Sequence, residues 1–136
     1  MSLDPETFII EAEKACSGLL YMSESDYELK PFYWKGTVSK PVSEAAVLDL
    51  TGFPQESTVE IEGLDYFFRN SIKDQYWHGS KQKDDVERFR SLLKLLKDNL
   101  TEIAVFRIGA VEIDVYIVGR LQSGELAGIS TKVVET

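Results

Sequence analysis

Hydrophobic positions along this chain recur with two periods, and the changes of period mark the elements. In the last third the period is two. Thr101–Ile108 is rich in apolar and β-branched residues. After Gly109 and Ala110, the run Val111–Val118 sets Val111, Ile113, Val115 and Ile117 against Glu112, Asp114 and Tyr116. Such alternation is the pattern of a strand with one apolar face. Gln122-Ser123-Gly124 turns the chain again into Leu126–Val134. Three β-prone runs joined by short glycine-bearing turns predict an antiparallel meander, its first turn two residues long.

Elsewhere the period is helical. Asp4-Pro5-Glu6 places a capping acid, a proline at the first helical position and a second acid in the first turn. Phe8, Ile9, Ala12, Ala15, Cys16 and Leu19 follow at three- and four-residue spacings, with Gly18 as terminator. A second, longer stripe of Val86, Phe89, Leu92, Leu93, Leu96 and Leu100 predicts the longest helix, capped by Asp84 with Glu87 three residues on. Ser43 caps a short helix through Ala46, Val47 and Leu50, which Gly52 and Pro54 end. Phe32–Lys35 reads as a strand, Ser57–Glu62 as a short edge strand, and Gly63–Asn70 as one or two helical turns. Between them, Ser71–Lys83 is a polar loop that holds Tyr76, Trp77 and His78. Pattern alone therefore gives a mixed α+β domain with a C-terminal meander.

Composition adds bounds. A chain of 136 residues with 43% apolar content is one domain's worth, spanning 1–136, and buries a core without staples. It contains no apolar run near the length needed to span a membrane, and its first residues have neither a basic nor an apolar segment of a secretory signal. One cysteine, Cys16, precludes an internal disulfide and suits a reducing compartment, so the cytoplasm is the expected location. Cys16 lies on the apolar stripe of its helix, where burial is expected over reactivity.

Charge changes the picture more. The net charge is −8, and it is unevenly placed: residues 1–65 hold 4 basic and 13 acidic side chains, whereas residues 66–136 hold 11 and 10. Nucleic acid is a poor direct partner for such a chain, because its binding draws on Lys and Arg at phosphates. A basic partner would be steered toward the acidic half, although acidity serves solubility as well.

Three stretches carry candidate chemistry. Met22-Ser23-Glu24-Ser25-Asp26-Tyr27 is a serine-flanked acidic cluster, by composition a solvated loop. The Tyr76–His78 aromatics sit in a hydrophilic loop, where Trp77 either covers the edge of the core or forms a contact surface. An enzyme would draw on an acid pair such as Glu112 and Asp114, two apart on one strand face, but solvated strand acids look the same. His78 is the sole histidine, too few for a catalytic triad beside a histidine metal site.

Gly109–Gly119, and above all Leu126-Ala-Gly-Ile-Ser-Thr-Lys-Val-Val-Glu-Thr136, resemble the C-terminus of the nuclease A inhibitor family, and Met22–Tyr27 resembles that family's active-site-entering loop. The resemblance spans Gly18–Thr136. It implies an α-β-α sandwich with helices on both faces of an antiparallel sheet. It also implies a non-enzymatic protein, without a cofactor of its own, that blocks sugar-nonspecific DNA/RNA nucleases of the ββα-metal type. Carried over residue by residue, it puts Glu24 and the Thr136 carboxylate at the partner's metal within the complex. Ser23, Ser25, Asp26 and Glu135 lie beside them as partner contacts, and Trp77 is an aromatic anchor. Asp74 corresponds to the family's acid of an Asp-Trp pair, but Gln75 and Tyr76 separate it from Trp77 here. The free protein is expected to be a monomer. An acidic interaction module with a non-nuclease partner on the same scaffold is the alternative.

Overall fold

The computed structural model describes residues 3–22, 25–73 and 79–135. In chain order its elements are helix α1 (Pro5–Cys16), strands β1 (Leu20–Met22), β2 (Asp26–Glu28) and β3 (Lys30–Trp34), helix α2 (Glu44–Thr51), strand β4 (Val59–Glu62), helices α3 (Leu64–Phe67) and α4 (Ser80–Asn99), and strands β5 (Thr101–Ile108), β6 (Glu112–Arg120) and β7 (Leu126–Val134). The last three strands form the expected meander. They sit at the middle of a five-stranded antiparallel sheet of order β3-β7-β6-β5-β4, and β1 and β2 form a separate hairpin.

Both faces of the sheet are covered, but unequally. On one face Val105, Val115, Ile117, Ala127, Ile129 and Val133 pack with Phe8 and Ala12 of α1, Phe67 of α3, and Phe89, Leu92 and Leu96 of α4. On the other, α2 is the one helix laid down among the described residues: Val47 and Leu48 meet Phe106, Ile108, Val118 and Leu126. Phe32, Trp34 and Tyr116 rim this smaller core, with the Phe32 and Trp34 rings 4.4 Å apart. Trp34 is a packing residue for this reason. The result is an α-β-α sandwich whose second layer stops short.

The caps lie where their residue types require. The Asp4 carboxylate accepts from Thr7 N–H at 2.8 Å, which holds its pKa below the ordinary carboxylate value. Ser43 accepts from Ala46 N–H at 3.3 Å, and Gly52 closes α2 in the left-handed region at φ +79°.

Two local expectations are corrected. Helix α4 starts at Ser80, four residues before Asp84; Lys83 N–H already bonds Gly79 C=O at 3.1 Å, and Lys81 pairs with Asp85 one turn on, at 2.6 Å. This first turn contains no apolar residue, so no stripe announces it. The β5–β6 connection is longer than two residues, because Ile108 pairs with Asp114 and leaves 109–113 between them. Gly109 N–H turns aside to Thr58 C=O at 2.9 Å. Its φ of +115° and the 2.6 Å that a Cβ would leave to Glu112 O both require glycine. Val111 consequently falls outside the strand and is 51% exposed, while Ile113, Val115 and Ile117 are buried as expected.

The direction of each element fixes which loops meet. Leu3 N–H donates to Asn99 Oδ1, whereas Arg88 donates to the carbonyls of Ala15 and Ser17, so α1 and α4 run antiparallel. Lys97 pairs with Asp65 and Arg90 donates to Ile72 C=O, so the chain from α3 to Ile72 also runs against α4. Helix α4 passes through Leu100 directly into β5, and thus its N-terminus lies at the Ile108 end of the sheet.

Candidate functional site: the Ile108 end of the sheet

Strand β3 pairs antiparallel with β7 up to Lys30↔Ser130. Followed backwards from Lys30, the chain continues beside β7 toward its C-terminal end; Thr131 Oγ1 donates to Glu28 C=O at 2.9 Å. The hairpin therefore extends the sheet edge along the second half of β7. Its register, Leu20↔Glu28, Tyr21↔Tyr27 and Met22↔Asp26, puts Met22 and Asp26 at the far end of the hairpin. Three described boundaries converge at this end of the molecule. They are Met22 and Ser25 at the hairpin tip, Lys73 and Gly79 ahead of α4, and Glu135 after β7.

Of the residues the sequence singles out, Ser25, Asp26 and Glu135 are described and all three are exposed. Ser23, Glu24, Asp74, Trp77 and Thr136 lie outside the described residues, as does His78. Glu135 is bound inward: its N–H donates to Val111 C=O at 3.0 Å and its carboxylate accepts from Arg107 Nη2 at 2.5 Å. Arg107 also donates from Nη1 to Glu62 at 2.9 Å, and the Arg107 and Glu62 side chains are only 12% and 13% exposed. Burial works against the Arg107 charge, yet the hydrogen bonds it donates to Glu135 and Glu62 hold its pKa above the ordinary value. This cluster is the feature that sequence reasoning passes over. Its signal is present in the alternation of β5, where Arg107 shares the buried face of Val105.

Tyr21 anchors the hairpin beside the cluster. Its ring stacks on Phe67 at 4.4 Å and 8°, and its hydroxyl donates to Phe67 C=O at 2.8 Å. Burial raises its pKa, and the Glu62 carboxylate adds to the rise. Where α2 leaves the second sheet face open, a groove of about 540 Å³ lies between the hairpin and the strands, lined by Tyr27, Glu28, Asp114, Tyr116 and Lys132 among others. Tyr116 is raised by burial and by Asp114 alongside it. Glu112 and Asp114 do lie on one face, at cross-strand positions to Val134 and Lys132.

Elsewhere the buried Cys16 thiol is pushed up to about 12 by desolvation, which outweighs the nearby Arg88 charge. Such a thiol is inert at neutral pH. Among the described residues no group of three or more His, Cys, Asp or Glu side chains could hold a metal ion, and no helix is long and apolar enough to cross a membrane.

The sequence matches the nuclease A inhibitor-like protein family over residues 6–136, and the chain belongs to that family. No curated protein matches it.

Proposed function

We propose that this chain is a protein inhibitor that caps the metal-containing active site of a sugar-nonspecific DNA/RNA nuclease of the ββα-metal type. Membership of the family supports an inhibitor role and a nuclease partner. The observation that carries the finer reading is the convergence of the hairpin tip, the Lys73 and Gly79 boundaries and the end of β7 at one end of the molecule. Glu24 and the Thr136 carboxylate take the place of phosphate oxygens at the partner's divalent metal, a hard cation that accepts carboxylate oxygen. Ser23, Ser25 and Asp26 border that contact, Asp74 and Glu135 add charge at its margin, and Trp77 is the aromatic anchor. The charges must reach the metal or a cationic partner, since desolvation would otherwise dominate. The free protein is a monomer without a cofactor of its own, performs no turnover, and acts in the cytoplasm.

Titrating a ββα-metal nuclease with the protein tests this directly. Activity is expected to fall stoichiometrically, and Glu24→Gln, which removes a charge at nearly constant volume, is expected to weaken inhibition at least about tenfold. Full nuclease activity at excess protein would remove the reading. Stable binding of a different protein under the same conditions would move the site to a non-nuclease partner.

A further inference from the structure

Arg107 is held in an arrangement that stability alone does not explain. Its guanidinium and Glu62 are largely withdrawn from water, and two polar atoms of the pair, Arg107 Nε and Glu62 Oε2, are buried without a hydrogen-bond partner among the described residues. Removing charges from water in this way is costly, and packed apolar side chains of similar volume commonly serve stability as well or better. The best-attested use of a buried ion pair is to fix register. Here the third member is Glu135, 28 residues along the chain from Arg107 and just past the last residue of β7.

We propose that Arg107, seated by Glu62, is the positioning residue of the inhibitory edge: it locks the chain after β7 so that this segment meets the nuclease in one conformation. The proposal rests on the functional reading above. A residue one step beyond a strand would ordinarily fray. The Glu135 N–H bond to Val111 C=O supplies one tether, and the guanidinium supplies a second, on the side chain. Tyr21 lies near the same charges and docks on Phe67, so the hairpin and the segment after β7 are referred to neighbouring parts of one rigid wall. Order established before binding lowers the entropy lost in the complex, and its absence shows chiefly in dissociation.

The experiment measures association and dissociation rates with a ββα-metal nuclease for the parent, Glu24→Gln, Glu135→Gln, Arg107→Lys and the double variant Glu62→Gln/Arg107→Met, which leaves no buried carboxylate unpaired. A fifth variant combines this pair with Glu135→Gln. Glu135 is 55% exposed, so its substitution is not expected to unfold the protein. Glu135→Gln and Glu62→Gln/Arg107→Met are each expected to speed dissociation about tenfold at similar association rates, and the combined variant no further, because both cut one tether. Arg107→Lys should recover part of the loss. In the free protein, hydrogen exchange at the Glu135 amide should accelerate when Arg107 is replaced. Unchanged dissociation in both arms, with Glu24→Gln still impaired, overturns the positioning role and spares the functional reading. Multiplying effects overturn it as well, since Glu135 would then act independently of Arg107. If no nuclease is inhibited at all, the functional reading fails, and with it the role assigned here, whatever the exchange rates show.

Discussion

At Gly128 a single hydrogen atom stands where any other residue carries carbon. A Cβ there would lie 1.6 Å from Ile117 O and 3.2 Å from the Phe32 ring, in the central β6–β7 pair. Neither backbone can retreat, because each strand is paired on its other side as well. Gly128→Ala is therefore expected to destabilise the fold by about 3 kcal/mol, at the upper end for overpacking in a closed interior. The matching control is Gly63→Ala, where a Cβ meets nothing within 4 Å and φ is −79°. Urea denaturation of the two variants checks the contrast, and a Gly128→Ala loss no greater than that of Gly63→Ala would refute it. Arg107 is the second residue whose setting outweighs its type. As a sequence letter it is one charge in an apolar run; its role becomes visible only when Glu62 and Glu135, distant in sequence, arrive beside it.

Between elements, the end of β3 is clamped to the β6–β7 turn by one carboxylate. Glu125 accepts from the Tyr33 hydroxyl at 2.5 Å and from Gly36 N–H at 2.6 Å. The Tyr33 bond, then the Gly36 bond, hold the Glu125 pKa below its ordinary value, and the same contact raises Tyr33 from 10.0 to about 12. Glu125 thus contributes stability above the ordinary carboxylate range and loses it as pH falls through the depressed value. Tyr33 contributes fully below pH 10 and loses its contribution as pH climbs through about 12. Denaturation midpoints of the parent and Tyr33→Phe should differ at pH 8 and converge as the tyrosine ionises; a constant gap up to pH 12 would exclude the clamp. The elements themselves were largely legible. The stripe from Val86 to Leu100, the Asp4 and Ser43 caps and the three C-terminal strands all follow from periodicity, because burial of one face imposes the period. The polar first turn of α4 and the 109–111 connection were not legible. The described side chains of the former, Ser80, Lys81 and Lys83, are all exposed, and in the latter Gly109 continues the ladder between β4 and β5 through its bond to Thr58. Of the candidate site, family motifs supplied the residues, and local pattern alone would have left Met22–Tyr27 as a solvated loop.

For the molecule as a whole, charge and topology act together. The acidic first half of the chain supplies the hairpin, β3 and β4, so Asp26, Glu28, Glu60 and Glu62 all belong to it. An acidic surface draws a basic partner over roughly one Debye length, about 10 Å at 0.1 M salt. The association rate with the nuclease should consequently fall between low and moderate salt, while dissociation changes less; an association rate indifferent to salt would leave the charge a solubility device. The same topology has a consequence for crowded solution. The sheet has two open margins, and neither is a good template for another chain. At one margin β3 is five residues long and includes Pro31, which has no N–H to donate; at the other β4 is four residues long and carries Glu60 and Glu62. Short, proline-bearing or charged margins discourage strand-to-strand stacking. Margins of this kind make poor seeds for fibres, and the long strands β5, β6 and β7 stay sequestered in the interior of the sheet.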